Sequence, residues 1–146
     1  MTITAELYSN YPLNLLNDSL SSMNNDIKVA LLADTYTPAQ ETHTSWDDVS
    51  VDEVTGTGYS AGGQSLTSET ITEATRVTTF DADNVSWTNS TITAMYAVIY
   101  DNTPVDDVDK KLVGWIDFGE NKSSENGTFE IQWDSAGILT FTVPAV

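Results

Sequence analysis

Three small residues and one acidic residue of the chain have the spacing of a dinucleotide-binding fingerprint. Gly56, Gly58 and Ala61 fit the pattern G-x-G-x-x-G/A, and Asp81 follows about 20 residues later, where this fingerprint places the acid that binds a ribose. The chemistry requires a buried strand before the glycines and a helix N-terminus after them, because helix amides hold the pyrophosphate. Here the preceding residues 49–54 are half polar, and the threonine-rich residues that follow have no helical apolar stripe. We therefore predict a tight connection between strands, in which glycine permits positive φ and close backbone approach.

The histidine of the chain, His43, has hydroxyl and carboxylate neighbours in sequence. Ser45, Asp47 and Asp48 follow it directly, and these residue types can form a nucleophilic triad. A triad, however, assembles across a fold and needs an oxyanion site, which adjacency in sequence does not provide. We interpret His43 as a loop residue that hydrogen-bonds a nearby carboxylate.

Acidic side chains cluster at two further places. Asp81 and Asp83 form the first group, and the second lies between Asp101 and Asp109. Oxygen-rich loops can hold Ca²⁺, but neither group has EF-hand spacing, so solvated turns are favoured and a bound divalent cation is left as a hypothesis. A glycosidase using two of Glu53, Asp81 and Asp101 is disfavoured, since nothing places two carboxylates across one groove. The sequence predicts no catalytic residue, no cofactor and no defined metal site.

The amino-acid composition limits the classes of partner that the protein can bind. The 146 residues suggest one domain, and a hydrophobic content of 40% is enough for a core. With 22 acidic and 5 basic side chains, the net charge is −17, which repels phosphate backbones and anionic membranes. We therefore predict no nucleic-acid partner and no membrane partner. Because the chain contains no cysteine, disulfides and thiolate chemistry are excluded.

Short strand patterns dominate the chain after residue 24. Apolar or alternating segments lie at 27–34, 49–54, 66–72, 76–80, 91–100, 111–118, 128–133 and 138–143. Residues 91–100 are apolar on both faces and are predicted to form a central strand. The last two segments, separated by the turn residues 134–137, are predicted to pair as a terminal β-hairpin. The expected fold is all-β, a β-sandwich or distorted barrel of about seven to eight strands.

The N-terminal segment has a different pattern. Leu13, Leu16 and Leu20 recur at helical spacing after Pro12, which predicts a short helix. We divide the chain into an N-terminal arm, residues 1–24, and a β-sandwich domain, residues 25–146. Because so short a helix needs a docking surface, two alternatives stay open: the segment covers its own sheet, or it anchors the protein to a partner.

Three segments taken together resemble a family of small structural proteins of tailed bacteriophages. They are IKVALLADTYTP (27–38), GTGYSAGGQSL (56–66) and FDADNVSWTNSTITAMYAVIYD (80–101). The resemblance extends from about residue 8 to residue 143, and the combination is more specific than any one segment. It implies a virion component without enzymatic activity, in which the glycine segment belongs to the β-domain.

Within that family we predict a capsid decoration, or cement, protein on the outer capsid surface of the virion. The resemblance implies the major capsid protein and the protein itself, as a homotrimer, as partners. An acidic exterior keeps free copies soluble and apart until a capsid offers complementary contacts. The predicted contact residues are Tyr8, Tyr11, Leu13, Leu16, Trp46 and Tyr59.

Two other roles stay open. The first is a neck or tail component of the virion. The second is a carbohydrate-binding module for host attachment, in which an exposed Trp46, Trp87 or Tyr59 would stack on a sugar.

Overall fold

Antiparallel strands make up most of the structure. The computed structural model describes residues 2–20, 22–23 and 26–146. Its strands are β1 (Thr4–Leu7), β2 (Ile27–Leu32), β3 (Gln64–Ser65), β4 (Thr70–Ala74), β5 (Val77–Asp81), β6 (Val85–Asp101), β7 (Leu112–Ile131) and β8 (Leu139–Thr142). The α-helix α1 spans Tyr11–Leu16, and short 3-10 helices span Trp46–Asp48, Ser50–Asp52 and Asp107–Asp109.

Within the described residues the strands form two sheets. The larger has the order β1-β7-β6-β2-β3, and the smaller has the order β4-β5-β8. Every pairing is antiparallel. The prediction of an all-β fold of the β-sandwich type is therefore confirmed.

The large sheet is covered on both faces, which explains why its inner strands are apolar throughout. Along β2, Val29 and Leu31 belong to a core that also contains Phe80 of the small sheet. Ala30 and Leu32 point the other way, into a second core with Trp46. Successive side chains of a strand alternate between faces, so a strand buried on both faces must be apolar at every position.

The longest strands, β6 and β7, form one hairpin at the centre of the large sheet. β6 pairs with β7 on one side and β2 on the other, so the predicted central strand is confirmed. The predicted segments 111–118 and 128–133 are not separate strands, because the polar stretch between them continues β7. Side-chain hydroxyl groups stabilise the pairing of β6 with this part of β7. The hydroxyls of Thr93 and Ser123 share a hydrogen bond of 2.7 Å, and those of Ser90 and Ser124 share another of the same length.

Two predicted elements are wrong. Residues 128–133 and 138–143 do not form a hairpin, because residues 129–131 already pair with the start of β6, and β8 instead pairs with β5. The turn carries the chain to the other sheet, where the N–H of Ile138 donates to the carbonyl of Phe80 at 2.9 Å. Residues 49–54 are also not a strand, since Ser50–Asp52 forms a 3-10 helix and Glu53 makes only an isolated bridge to Leu32.

The N-terminal segment lies on the large sheet. β1 pairs with β7, and Tyr8 and Tyr11 are buried. Pro12 occupies the first turn of α1, as predicted, but the helix ends at Leu16. Leu20 is buried beyond the helix, whereas Leu13 and Leu16 are exposed, so the predicted leucines do not share one buried stripe. The predicted boundary between residues 24 and 25 lies outside the described residues.

Candidate functional site

The glycine segment lies in direct contact with the large sheet. A Cβ atom added to Gly56 would stand 2.3 Å from the carbonyl oxygen of Thr91, and one added to Gly63 would stand 2.0 Å from that of Val29. The strand β3, rather than a helix, follows the glycines. The predicted close backbone approach is thus confirmed, although the residues before the segment are a 3-10 helix and not the expected strand. The segment has no helix N-terminus that could hold a pyrophosphate.

A half-buried carboxylate fixes this segment to the sheet. The hydroxyl of Tyr59 donates to Glu53 Oε1 at 2.8 Å, and the N–H of Gly62 donates to the same oxygen at 2.6 Å. The Tyr59 oxygen accepts from the N–H of Leu31 at 3.0 Å, and its ring stacks on Trp87. The Tyr59 hydroxyl and the Gly62 amide are therefore both bonded within the fold, and we call this cluster the Glu53 clamp.

The Glu53 clamp has a pH dependence whose direction follows from its surroundings. Burial raises the pKa of Glu53, although the donors Tyr59 and Gly62 and the charge of Lys28 oppose the shift. A carboxyl with a raised pKa in the folded protein stabilises the fold fully at low pH, and this contribution is lost as pH rises through the folded pKa. Hence Glu53 contributes less to stability at pH 7 than at pH 4.

We expect Glu53→Gln to remove this dependence. Glutamine keeps an oxygen acceptor for Tyr59 and Gly62 but carries no charge, so the unfolding free energy of the variant, relative to the natural protein, should increase from pH 4 to pH 7. Urea unfolding at several pH values measures this difference. Glu53→Ala is the comparison: it also removes the charge, so its stability should have the same pH dependence as that of Glu53→Gln, but it leaves both donors without the acceptor and should be about 1–3 kcal/mol less stable than Glu53→Gln at each pH. A constant difference for Glu53→Gln would contradict the prediction.

The tryptophans proposed as sugar platforms are buried. Trp46 is 5% exposed and stacks on Tyr100 with ring centroids 4.5 Å apart. Trp87 is 1% exposed and lies between Tyr59 and Phe129. The hypothesis that Trp46 or Trp87 forms an exposed platform is therefore wrong, because both rings fill core space between or beside the sheets.

Tyr8 and Tyr11, predicted as contact residues, are likewise not available to a partner in this structure. The hydroxyls of Tyr8 and Tyr36 share a hydrogen bond of 2.6 Å, and the Tyr36 oxygen lies 3.3 Å from Nδ1 of His43. Burial raises the pKa of Tyr36 to about 12 and that of Tyr8 further. The hydrogen-bond chain fixes the start of the N-terminal segment to the loop that contains His43.

The neighbours of His43 have structural roles. Asp48 accepts hydrogen bonds from the N–H groups of Thr44 and Ser45, at 2.8 and 3.0 Å, and forms a capping box with Ser45. These bonds keep the pKa of Asp48 below its usual range, although burial acts against them. The expected carboxylate partner of His43 is thus replaced by Tyr36, and the serine and aspartate stabilise the start of a 3-10 helix.

The acidic groups stabilise turns. Asp81 accepts from the N–H of Ala82, Asp83 accepts from the hydroxyl of Ser68, and the buried Asp101 accepts from the N–H of Thr103. Across residues 2–20, 22–23 and 26–146, no three His, Cys, Asp or Glu side chains converge in an arrangement that could hold a metal ion. The structure therefore adds no support to the divalent-cation hypothesis.

Exposed apolar side chains occur on α1 and around β8. Leu13 is 58% exposed and Leu16 is 87% exposed, and Phe141 and Val143 are also accessible. The two elements are neighbours, since the ring of Tyr11 stacks on that of Phe141 at 6.4 Å. We call the side chains of Leu13, Leu16, Phe141 and Val143 the apolar surface.

Charge distinguishes the apolar surface from the rest of the chain. No charged residue occurs at positions 7–17 or 135–146, although the whole chain carries a net charge of −17. The sequence analysis placed Phe141 and Val143 in a strand, residues 138–143, and did not predict their exposure. The absence of charge over residues 135–146 is the signal that could have found them.

A wide apolar cleft of about 1110 Å³ lies between the two sheets. Its lining includes β1, both halves of β7 and the residues leading into β8, with contributions from Ala5, Leu7, Phe129, Trp133 and Leu139. β1 is the edge strand of the large sheet at this place. On the outer side of this strand the side-chain amide of Gln40 donates to the carbonyl of Leu7 at 2.8 Å, so the edge beside the cleft is partly bonded within the fold.

α1 and the 3-10 helices are short. No helix within the described part of the chain is long and apolar enough to cross a membrane. Comparison of the chain with protein-family models, with curated proteins and with solved structures found no match.

Proposed function

We propose that the protein is a non-enzymatic structural protein of a bacteriophage virion, and specifically a capsid decoration protein that binds the outer surface of the head. The observation that carries the proposal is the exposure of Leu13 and Leu16 on an uncharged segment of a strongly acidic protein. These two leucines are the predicted contact residues that the fold leaves accessible, and Tyr59 is only half-buried.

Charge supports a protein partner of this kind. A net charge of −17 keeps free copies apart in solution, so that they do not associate through their acidic faces. The uncharged helix α1 can approach another protein without that repulsion, and neutral or basic groups on the partner would complement the acidic surroundings. A capsid, which repeats one such surface many times, is a suitable partner for a small acidic domain.

The resemblance to phage structural proteins gives the second support. Its three segments coincide with β2, with the clamped glycine segment and with the central strand β6. These parts contribute side chains to the two cores, and the acidic residues considered as catalytic candidates are engaged in capping and turns. The shared pattern is therefore one of fold maintenance, which suits a structural family better than an enzyme family.

The number of copies per virion tests the proposal. Quantitative mass spectrometry of purified particles should find the protein in numbers comparable to the capsid subunits or to their three-fold positions. A dozen copies or fewer would instead place the protein at the neck or tail. Absence from the particle would reject a virion role altogether.

A further inference from the structure

We propose that β4 pairs with β4 of a second copy, antiparallel and about a two-fold axis at Thr72, so that the small sheets of the two copies form one continuous sheet. The surface concerned is the free edge of the small sheet, away from the leucines of α1. This inference goes beyond the proposed function, because it assigns a contact between copies. It also departs from the predicted homotrimer, since a two-fold contact closes as a dimer.

The strand β4 is an exposed edge strand. It lies at one edge of the small sheet, with β5 as its neighbour, and all five of its residues are exposed. Natural edge strands are usually protected by proline, lysine, a bulge or a covering segment. The strand β4 contains no proline and no lysine, and its register with β5 is continuous. It is therefore a ready template for pairing with another chain.

The turn between β4 and β5 determines which backbone groups face outward. Thr75 and Arg76 form a two-residue turn, and their φ angles are positive, at 52° and 67°. In this type I′ geometry the residues that flank the turn exchange backbone hydrogen bonds, so Ala74 bonds β5. Because the direction alternates along a strand, the N–H and C=O groups of Ile71 and Glu73 point away from β5. Among the described residues, no hydrogen bond from another segment reaches these groups.

The outward groups of β4 are complementary to themselves. With the axis at Thr72, Ile71 of one copy lies opposite Glu73 of the other, and the two residues can exchange backbone hydrogen bonds. The two-fold axis repeats the same exchange on its other side. The axis is normal to the sheet, so the two Thr72 side chains meet on one face, and pairs of threonines are favourable across strands.

Charge and length select this register from the alternatives. An axis at Ile71 would place Glu69 opposite Glu73, and an axis at Glu73 would place that residue opposite its own copy. Like charges that lie directly opposite destabilise a sheet. An axis at Thr70 would pair fewer residues, because Ser68 has a φ of +57° and ends the extended backbone. The proposed register avoids both faults and pairs β4 over its whole length.

Opposite charges meet at both ends of the paired strands. In the proposed register, Glu69 of one copy lies beside the turn that carries Arg76 of the other. Arg76 forms no ion pair with the described residues of its own chain. The carboxylate of Glu73 accepts from the N–H of Arg76 at 2.9 Å, which keeps its charge near the turn and away from the axis. The contact therefore offsets part of the repulsion between two chains of net charge −17.

Cysteine cross-linking tests the register, because the chain contains no cysteine of its own. Two Thr72 residues at the axis form a non-hydrogen-bonded pair with Cα atoms about 4.5 Å apart, a separation that a disulfide can bridge. Thr72→Cys should therefore become a covalent dimer under mild oxidation at about 100 µM, where contacts with a micromolar Kd are largely formed. A non-reducing gel measures the dimer.

Thr70→Cys is the matched control for this experiment. Thr70 is exposed on the same strand, and it lies on the same face as Thr72. Two cysteines at position 70 would lie about 14 Å apart along the paired strands, so this variant should stay monomeric. A mixture of Thr70→Cys and Ala74→Cys should cross-link, because these two positions lie opposite each other in the proposed register. The mixture distinguishes the register from random collision.

Charge variants at Ile71 test the contact without a covalent bond. Because Ile71 lies opposite Glu73 of the second copy, Ile71→Lys should tighten the dimer and Ile71→Glu should weaken it. Their dissociation constants, measured by analytical ultracentrifugation, should differ by about tenfold or more. Thr142→Lys and Thr142→Glu, on the exposed end of β8, give equal changes in net charge and correct for general repulsion.

Four results would overturn the inference. They are a Thr72→Cys protein that stays monomeric, a Thr70→Cys protein that cross-links as fast, a mixture that does not cross-link, and Ile71 variants whose dissociation constants differ no more than those of the Thr142 variants. Because these assays contain no capsid, failure here leaves the decoration role to be judged by copy number alone.

Discussion

Replacing Gly63 by alanine is expected to lower the free energy of unfolding by about 3–5 kcal/mol, from overpacking and from backbone strain together. The added Cβ would lie 2.0 Å from the carbonyl oxygen of Val29 and 2.7 Å from the Cα of Ala30, both backbone atoms of a central strand. Neither atom can move without displacing β2. The φ of Gly63 is +73°, a conformation that L-residues rarely adopt.

Gly127→Ala is the matched control for this experiment. The nearest atom to a Cβ at Gly127 is the carbonyl oxygen of Glu125, at 3.6 Å, which is ordinary contact. This substitution should therefore change stability by less than about 1 kcal/mol. Urea unfolding followed by tryptophan fluorescence measures both variants, and equal losses would show that the glycine segment is not held against β2 as described.

The glycine segment was predictable because its signal is local. Four glycines within eight residues indicate positive φ and close approach, and the polar flanks exclude a strand–turn–helix unit. The Glu53 clamp was not predictable, since the contact of Glu53 with Tyr59 and Gly62 depends on a turn whose path the sequence does not specify. Local backbone geometry can be inferred from composition, whereas the hydrogen-bond partners of a half-buried carboxylate cannot.

The central strands were predictable for a similar reason. A run that is apolar at every position, such as residues 91–100, must be buried on both faces. The extent of β7 was not predictable, because residues 119–127 are rich in Gly, Asn and Ser and are typical of a turn. They remain a strand because the facing part of β6 is equally polar, and hydroxyl pairs such as Thr93 with Ser123 replace apolar packing.

The strand with which β8 pairs could not be predicted from the local hairpin pattern. Asp134 and Gly137 do form the expected turn, with the N–H of Gly137 donating to the carbonyl of Asp134 at 2.9 Å. The turn nevertheless leads to β5, since the strand before it already pairs with β6. Which of two sheets receives a strand is decided by long-range pairing, and the local turn pattern is the same in either case.

The candidate contact residues divide according to burial. Aromatic side chains can fill either a core or an interface, and their types alone do not distinguish the two. Tyr8, Tyr11 and Trp46 fill the cores, while the leucines of α1 remain outside. The helical spacing predicted the helix, but its buried residues are Tyr11 and Asn14, so Leu13 and Leu16 face solvent.

Replacing the exposed leucines of α1 is expected to have a large effect on binding to a partner. If the protein is the capsid decoration protein proposed above, the double variant Leu13→Asp/Leu16→Asp should weaken its binding to the phage capsid by about 100-fold or more. Burial of two leucine side chains contributes roughly 3 kcal/mol, and every 1.4 kcal/mol corresponds to a tenfold change in affinity. A co-sedimentation assay with capsids that lack the protein measures the loss.

The fold of this double variant should be unchanged, because both side chains are largely in solvent and surface substitutions usually alter stability by less than about 0.5 kcal/mol. Val108→Asp/Val51→Asp provides the control. Val108 is 59% exposed and Val51 is 85% exposed, and these exposed fractions are similar to those of the two leucines. The charge added by the two aspartates is the same in both double variants. If both double variants bind like the unmodified protein, α1 is not the contact.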